Sequence, residues 1–541
     1  MQRPRGPLLP TAMRTLIACA ATALLALTLP VHAQEEPKSL LARYLSEGDA
    51  RLKAALRAEL LQLPPERLRE LMAALPRQGD GSGELSLKLR CPDGFERSYY
   101  LRVPRAYDAS RNWPLMVVLH GGVNGASAGA GSAAVGTWLA SLNDAQREGL
   151  FFLAPSADCE STTIQARWWR DGGMKNIRAM LADVKRRYHI DDDRVFLTGQ
   201  SDGGSGTWAA AFRRPDDYAG FFPMVGHPLV PATDRTSAFY ENLKGCSLYN
   251  ISGGLDPVYP GSEVSRIVGE INSVGPKVLH KNYEQAGHDL SFADVELPRI
   301  FNEYLSAWRR DLLARQLDWS TEQASFGSRA WLEILETKEL DREFNKCPKA
   351  TPRGTGVIRI DLGIRVPTPT TPEELDGPIT VKHIEPGSVA DTMGVKVGDT
   401  VIKVDGKKVT GLDEINAALR NKGAGKEISL TVLRDGAEKT LSGKFPPLEK
   451  DPPPGRVQGS WSPGQVELKT HNVTRLRVRL APDMMDARGE VRIKVNGKEA
   501  FKGRPPQDLA MMLDQFEASF DRKWPFTAVV TVDVVEAMKG K

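Results

Sequence analysis

Val195-Phe196-Leu197-Thr198-Gly199-Gln200-Ser201-Asp202-Gly203-Gly204 decides the fold of this chain. An apolar run leads into G-x-S-x-G, and Thr207-Trp208-Ala209-Ala210-Ala211-Phe212 continues it as a helix. A strand that turns into a helix around a single serine leaves no room beside it. The positions two before and two after are therefore glycine, and Ser201 Oγ is lifted above the sheet with the helix start behind it. G-x-S-x-G alone is an ordinary glycine-rich turn; the strand before it and the helix after it make the pattern specific.

Outward from this turn the same alternation recurs. Short apolar runs at Ser98–Val103, Leu115–Leu119, Leu150–Ala154, Val195–Thr198, Gly220–Val225, Leu248–Ser252 and Val278–Tyr283 read as strands. Several, such as Leu115-Met116-Val117-Val118-Leu119, are apolar throughout, as strands covered on both faces must be. Helices intervene, for instance Lys175–Tyr188, where Ile177, Met180, Leu181 and Val184 share a face. The fold class expected for residues 85–315 is α/β, a doubly wound sheet.

A serine hydroxyl is a weak nucleophile and needs a base and an orienting acid, which on this elbow follow in the order Ser, acid, His. The run Leu248–Ser252 ends in Gly253-Gly254-Leu255-Asp256-Pro257, which puts Asp256 on a turn at a strand's carboxyl end. Val278–Tyr283 is followed by Glu284-Gln285-Ala286-Gly287-His288-Asp289, which places His288 likewise. Asp before Pro is also a common turn, and a lone His is more often structural; three such residues in order, each past a strand end, point to a triad. His227, the rival base, precedes the acid. The oxyanion of a tetrahedral intermediate needs backbone N–H donors. One is expected from Asp202 and the other from Gly122 or Val123, in His120-Gly121-Gly122-Val123 after Leu119. The Gly/Ala/Ser-rich stretch Asn124–Gly136 reads as a mobile loop over the site or a solvated connection.

Together with Trp168-Trp169, Tyr188-His189-Ile190-Asp191, and Arg214-Pro215-Asp216 before Tyr218-Ala219-Gly220, these motifs resemble bacterial α/β-hydrolases of the poly(3-hydroxybutyrate) depolymerase and feruloyl esterase group. That group shades into prolyl-oligopeptidase-like enzymes. The resemblance covers residues 85–312 and implies the α/β-hydrolase sheet and its triad, not a substrate. Asp202 departs from the group, which often carries an uncharged residue there; a carboxylate beside the nucleophile disfavours anionic substrates. Trp168 and Trp169 line an acyl or aromatic pocket on one reading and are core residues on the other.

Further along, the matching residues are Asp361-Leu362-Gly363-Ile364, Ile379–Ala390, Gly394–Val409 and a helix near Leu412–Leu419. This unit, 356–445, resembles a PDZ domain of the kind found in bacterial periplasmic proteases. The resemblance implies a groove where a peptide adds as a strand, with the amides of Leu362, Gly363 and Ile364 on its terminal carboxylate. A PDZ fold used only for intramolecular packing is the alternative. Segment 316–355 reads as a connection; its run Ala330–Leu335 is a possible strand of the C-terminal domain, which would make the PDZ unit an insertion. A Pro-rich linker spans 446–456. The remainder, 457–541, alternates in strand fashion, with an Asn496-Gly497 hairpin turn, a helix near Leu509–Phe520 and a last strand near Ala528–Val535. It is expected to be a small β-rich accessory domain.

Residues 1–33 read as an export signal: basic residues, an apolar run from Leu16 to Leu29, and Val31-His32-Ala33 as the cleavage site. The run is too short and alanine-rich for a membrane span. Leu16-Ile17-Ala18-Cys19 resembles a lipoprotein site, but the apolar run lies mostly after Cys19. A cleaved product, secreted or periplasmic, is expected. A helical segment, 34–84, follows. The formal charge of +4 includes Arg3, Arg5 and Arg14 of the signal, so the rest carries +1, too little to grip nucleic acid. Cys91, Cys159, Cys246 and Cys347 permit disulfides or stand as buried thiols, and their spacing does not choose. The eight histidines form no HxH or HExxH cluster, and no metal or cofactor is expected. Three functions fit: a serine esterase with a PDZ module, a serine peptidase whose PDZ module presents chain ends, or an inactive PDZ scaffold. The intact triad pattern disfavours the last.

Overall fold

The computed structural model describes residues 37–77, 79, 81–123, 128–157, 167–234, 237–340, 349–350, 362–365, 379–384, 388–411, 414–415, 418–419, 425–445 and 453–539. Residues 1–36 with Cys19, residues 124–127 of the glycine-rich stretch, Cys159, Cys347 and most of the Pro-rich linker lie outside them. The chain divides into two compact units, residues 1–75 and 76–541. The first holds helices α1 (Pro37–Ser46), α2 (Ala50–Leu60) and α3 (Pro65–Ala74). Asp49 caps α2, its carboxylate accepting the Arg51 and Leu52 amides at 2.9 and 3.0 Å, and Pro65 opens α3, where no amide hydrogen is needed. Leu41, Tyr44, Leu56, Leu60, Leu68 and Leu71 are buried.

The second unit begins with strands β1 (Gly83–Arg90), β2 (Glu96–Val103), β3 (Trp113–Leu119), β4 (Phe151–Pro155), β5 (Ile190–Gln200), β6 (Gly220–Met224), β7 (Ala238–Phe239), β8 (Tyr249–Gly253) and β9 (Leu279–Tyr283). Eight of them form one sheet in the order β1-β2-β4-β3-β5-β6-β8-β9. Pairing is antiparallel for β1·β2 and β2·β4 and parallel from β4 onward, the mixed sheet of the α/β-hydrolase fold. Leu115, Val117 and Leu119 enter one apolar core, while Met116 and Val118 enter the other, as period-two side chains must when both faces are covered. Helices α4 (Ala130–Ser141), α5 (Asp171–Arg187), α6 (Asp202–Arg213), α7 (Gly261–Ser273) and α8 (Ala293–Arg299) supply that cover. Strand β1 escapes the apolar-run criterion because only alternate residues, Leu85, Leu87 and Leu89, pack on the core at this edge of the sheet.

Next come β10 (Gln316–Thr321), β11 (Ser328–Arg329), β12 (Leu332–Thr337) and β13 (Lys349–Ala350), which pairs with β7. The PDZ strands are β14 (Ile364–Arg365), β15 (Ile379–Thr380), β16 (His383–Ile384), β17 (Thr400–Val404), β18 (Lys407–Lys408), β19 (Glu427–Arg434) and β20 (Ala437–Lys444), with α9 (Val389–Met393). Then follow β21 (Gly455–Ser462), β22 (Gln465–His471), β23 (Val473–Leu480), β24 (Val491–Val495), β25 (Lys498–Gly503), α10 (Leu509–Ser519), β26 (Ala528–Asp533) and α11 (Val534–Lys539). Two sheets, β10-β21-β22-β24-β25 and β11-β12-β23-β26, share one core built on Trp319, Trp331, Leu476 and Ile493. Strands on both sides of the PDZ segment thus belong to the same sheets: β10 pairs with β21 and β12 with β23. The segment 316–355 is accordingly more than a connection. The last strand stops at Asp533 instead of Val535, because the Asp533 carboxylate accepts the Glu536 amide at 2.9 Å and starts α11.

A buried ionic seam joins this region to the hydrolase sheet. Arg310 lies against Asp521 at 2.5 Å and Asp193 at 3.2 Å, Lys185 against Asp192 at 2.8 Å, and the Arg522 amide donates to Asp192.

Candidate active site

Ser201 sits between β5 and α6 at φ 55°, ψ −118°, a left-handed backbone that costs a non-glycine residue about 1–3 kcal/mol. The turn is held in several ways. The Ser201 amide donates to Met224 O at 3.1 Å, and Ser201 O accepts the Ser205 amide at 2.9 Å. A Cβ on Gly199 would lie 2.4 Å from the Gly203 carbonyl carbon, and one on Gly203 would lie 2.1 Å from Leu119 O. Both glycines of the motif are therefore dictated by lack of space.

His288 Nε2 lies 2.9 Å from Ser201 Oγ, and His288 Nδ1 lies 2.7 Å from Asp256 Oδ2. Asp256 is buried, and its Oδ1 accepts the amides of Val258 and Tyr259 at 2.8 and 2.9 Å. The carboxylate is thus fixed on three sides, and with Nδ1–H donated to it, Nε2 is left to take the serine proton. Two glycines bring the acid and base turns together. A Cβ on Gly253 would lie 2.2 Å from Gly287 O, and one on Gly254 would lie 2.6 Å from Glu284 Cα. The Leu255 amide also donates to Ala286 O at 2.9 Å. The three side chains stand in the order acid, imidazole, hydroxyl, a geometry in which a serine can be made nucleophilic.

The His120-Gly121-Gly122 turn lies directly against the serine: a Cβ on Gly121 would be 3.1 Å from Ser201 Cβ. His120 fixes this turn from below. Its Nε2 accepts the Ala157 amide at 2.9 Å, so Nδ1 carries the proton and donates to Gly121 O at 2.8 Å. Gly122 has φ +62°. The Val123 amide, one of two expected oxyanion donors, instead donates to Asp202 Oδ2 at 3.0 Å. That engagement occupies the Val123 amide; the other expected donors are Gly122 and the Asp202 amide, the latter at the first turn of α6, where helical amides have no intrahelical acceptor.

Trp168 and Trp169 are buried in the apolar core, with exposures of 3% and 5%. Trp168 Nε1 donates to His120 O at 2.9 Å, so its part is to support the turn beneath the serine. Trp169 O accepts from Arg213 at 2.7 Å. His227 does not replace His288: its Nδ1 accepts the Leu229 amide at 3.1 Å, Nε2 faces Glu263 at 3.7 Å, and burial lowers its pKa. Tyr259 escaped the sequence reading. Its ring stands edge-on to His288 at 5.6 Å, and its phenol is raised above the usual range by burial and by the Asp202 charge. The residue type carries no motif there; only the fold brings it to the base.

Cys246 is a free thiol, pushed up to about 11 by burial. Among the described residues no group of three or more His, Cys, Asp or Glu could hold a metal ion, and no helix is long and apolar enough to cross a membrane.

In the PDZ module, Leu362 is buried, its carbonyl accepts the Ala390 amide at 2.9 Å, and Gly363 adopts φ +77°. Strand β14 pairs with β16, and Ile364 packs on the same core as Ile415, Ala418 and Leu419. Asp361 and part of the expected helix near Leu412–Leu419 lie outside the described residues. Two charge-assisted bonds of 2.6 Å from Arg434 fix Asp399 and hold its carboxyl below the usual range.

Residues 361–444 match the family model of the PDZ domain. The chain is 31% identical over 136 residues to poly(3-hydroxyalkanoate) depolymerase C of Paucimonas lemoignei, covering 24% of this chain and 31% of that protein. It is 46% identical over 65 residues to a probable periplasmic serine protease do/HhoA-like of Haemophilus influenzae, covering 12% of this chain and 14% of that one. The chain therefore spans less than a third of the length of either relative. Among solved structures it is similar to a thermostable esterase, at 24% identity and TM-score 0.34, over 42% of this chain and 63% of that one. It is also similar to the acylaminoacyl peptidase of Pyrococcus horikoshii, at 14% identity and TM-score 0.32, over 43% of each.

Proposed function

We propose that this chain is a serine hydrolase that cleaves carboxylic esters through an acyl-enzyme. The observation that carries the reading is the continuous path Asp256–His288–Ser201, with contacts of 2.7 and 2.9 Å at a strained elbow. Ser201 Oγ attacks the ester carbonyl while His288 Nε2 takes its proton. The tetrahedral oxyanion is held by the amides of Gly122 and Asp202. His288 then protonates the leaving alcohol, and a water deprotonated by His288 releases the acid. Asp256 orients His288 and stabilises its charged form throughout. The partial likeness to a poly(3-hydroxyalkanoate) depolymerase favours an ester over an amide.

The PDZ module favours a second reading, a peptidase in which chain ends captured beside β14 are presented to the same serine. The amides of Leu362, Gly363 and Ile364 are the proposed carboxylate holders in either case. Residues 1–33 are proposed to direct export, with the mature protein secreted or periplasmic. Hydrolysis of p-nitrophenyl acetate and butyrate by the full chain, beside Ser201→Ala, tests the main reading. Turnover that disappears in the variant is expected. Turnover of C-terminally free peptides, with silence toward esters, would replace this reading with the peptidase.

A further inference from the structure

The Asp202 side chain, which departs from what the resemblance leads one to expect, has a specific contact: its Oδ2 accepts the amide of Val123 at 3.0 Å. Val123 is 6% exposed, so its amide hydrogen has little access to water and needs an acceptor within the protein. The contact joins two segments separated by 79 residues, the turn after β3 and the first residue of α6. These are the segments that would supply the two oxyanion donors.

We infer that Asp202 is a positioning residue for the oxyanion site: its carboxylate ties the Gly121-Gly122-Val123 turn to the nucleophile elbow, so that the Gly122 and Asp202 amides face the same point. The inference rests on the serine-hydrolase reading and adds to it. Three observations converge on it. Gly121 abuts Ser201, with a Cβ there only 3.7 Å from Oγ, so a small shift of the turn alters the site directly. Among the described residues, Gly122 at φ +62° has nothing within 4 Å of an added Cβ, so none of their side chains packs on that side. His120 anchors the turn's near end through Gly121 O, and the far end is held by Asp202. A negative charge beside a developing oxyanion is unfavourable in itself. Placement at the N-terminus of the 12-residue helix α6 offsets part of that. What the residue supplies is an acceptor in a fixed place, and a neutral amide oxygen can supply the same.

The test uses Asp202→Ala and Asp202→Asn in the full chain. With p-nitrophenyl butyrate, Asp202→Ala is expected to lose about 10²-fold in kcat, the scale of one oxyanion donor, with KM changed by less than about threefold. Affinity for a boronic acid, whose serine adduct is tetrahedral, should fall in parallel with kcat. Asp202→Asn should recover most of the loss, since its carbonyl oxygen can accept the Val123 amide. Hydrogen exchange at the Val123 amide, followed by mass spectrometry, is read on the same three proteins. Exchange should accelerate at least about tenfold in Asp202→Ala and far less in Asp202→Asn. A kcat for Asp202→Ala at or above wild type, or unchanged Val123 exchange, overturns the inference. If the wild type is silent on esters, the esterase reading fails, and the exchange result still decides whether Asp202 holds the turn.

Discussion

Gly199, Gly203 and Gly253 of the hydrolase region and Gly394 and Gly398 of the PDZ module answer opposite constraints. At the nucleophile elbow and the acid turn, a Cβ on Gly199, Gly203 or Gly253 would fall 2.4, 2.1 or 2.2 Å from backbone atoms of Gly203, Leu119 or Gly287. In the PDZ module, Gly394 and Gly398 stand at φ +79° and +94° with nothing within 4 Å of the added carbon. The first group exists because backbone packs on backbone at the site, within the elbow at Gly199 and between separate segments at Gly203 and Gly253. The second exists because the chain itself must turn left-handed, as at the end of α9, where Gly394 is the C-cap. Gly199, Gly203 and Gly253 are thus limited by packing, Gly394 and Gly398 by backbone conformation. Damage should spread in the first and stay local in the second.

The largest effect is expected at the seam where the hydrolase sheet meets the C-terminal sheets. Asp521→Asn leaves Arg310 buried without its nearest acid and should cost about 3–5 kcal/mol in denaturant unfolding. The same pair sets a pH dependence. Arg310, opposing the cost of burial, holds the Asp521 carboxyl at about 2, below its unfolded value of roughly 3.9. Its contribution is therefore complete above about pH 4 and is lost as pH falls through about 2. Unfolding curves from pH 5 to 2 should show that loss in the wild type and a flatter profile in Asp521→Asn. Equal slopes would remove this pair from the account of the seam.

Gly203→Ala comes next, at about 2–3 kcal/mol, because the atom opposing the new methyl is the Leu119 carbonyl and cannot rotate away. Esterase activity should fall with stability, since that carbonyl lies at the end of β3, just before the His120 turn. A stable and fully active Gly203→Ala protein would break the packing half of the comparison. The smallest effect is at Gly394→Ala, about 1 kcal/mol, confined to the PDZ module and seen as a lowered unfolding temperature with ester turnover unchanged. Loss of turnover there would show that the two regions are not independent.

The same contrast explains what the residues revealed before the structure. Ser201, Asp256 and His288 were legible because each follows the end of a strand candidate in the order Ser, acid, His, and the elbow imposes a fixed motif. The PDZ turns were legible because left-handed glycines follow local rules. Tyr259, His120 as an anchor, and the Asp202–Val123 bond were not, since each depends on a contact between segments distant in sequence, which spacing does not encode. Trp168 and Trp169 left two readings open, because a tryptophan's size suits a pocket wall and a core alike. Strand β1 was passed over because its half-buried alternation is weaker than a continuous apolar run.

The central claim is that Ser201 is activated by His288 within this array. Mass spectrometry of the intact protein after treatment with a fluorophosphonate, followed by peptide mapping, tests it most directly. One adduct per chain on Ser201 is expected, together with its loss in Ser201→Ala and labelling slowed by orders of magnitude in His288→Ala. A folded wild type that stays unlabelled, or an adduct that maps to another residue, would contradict the account.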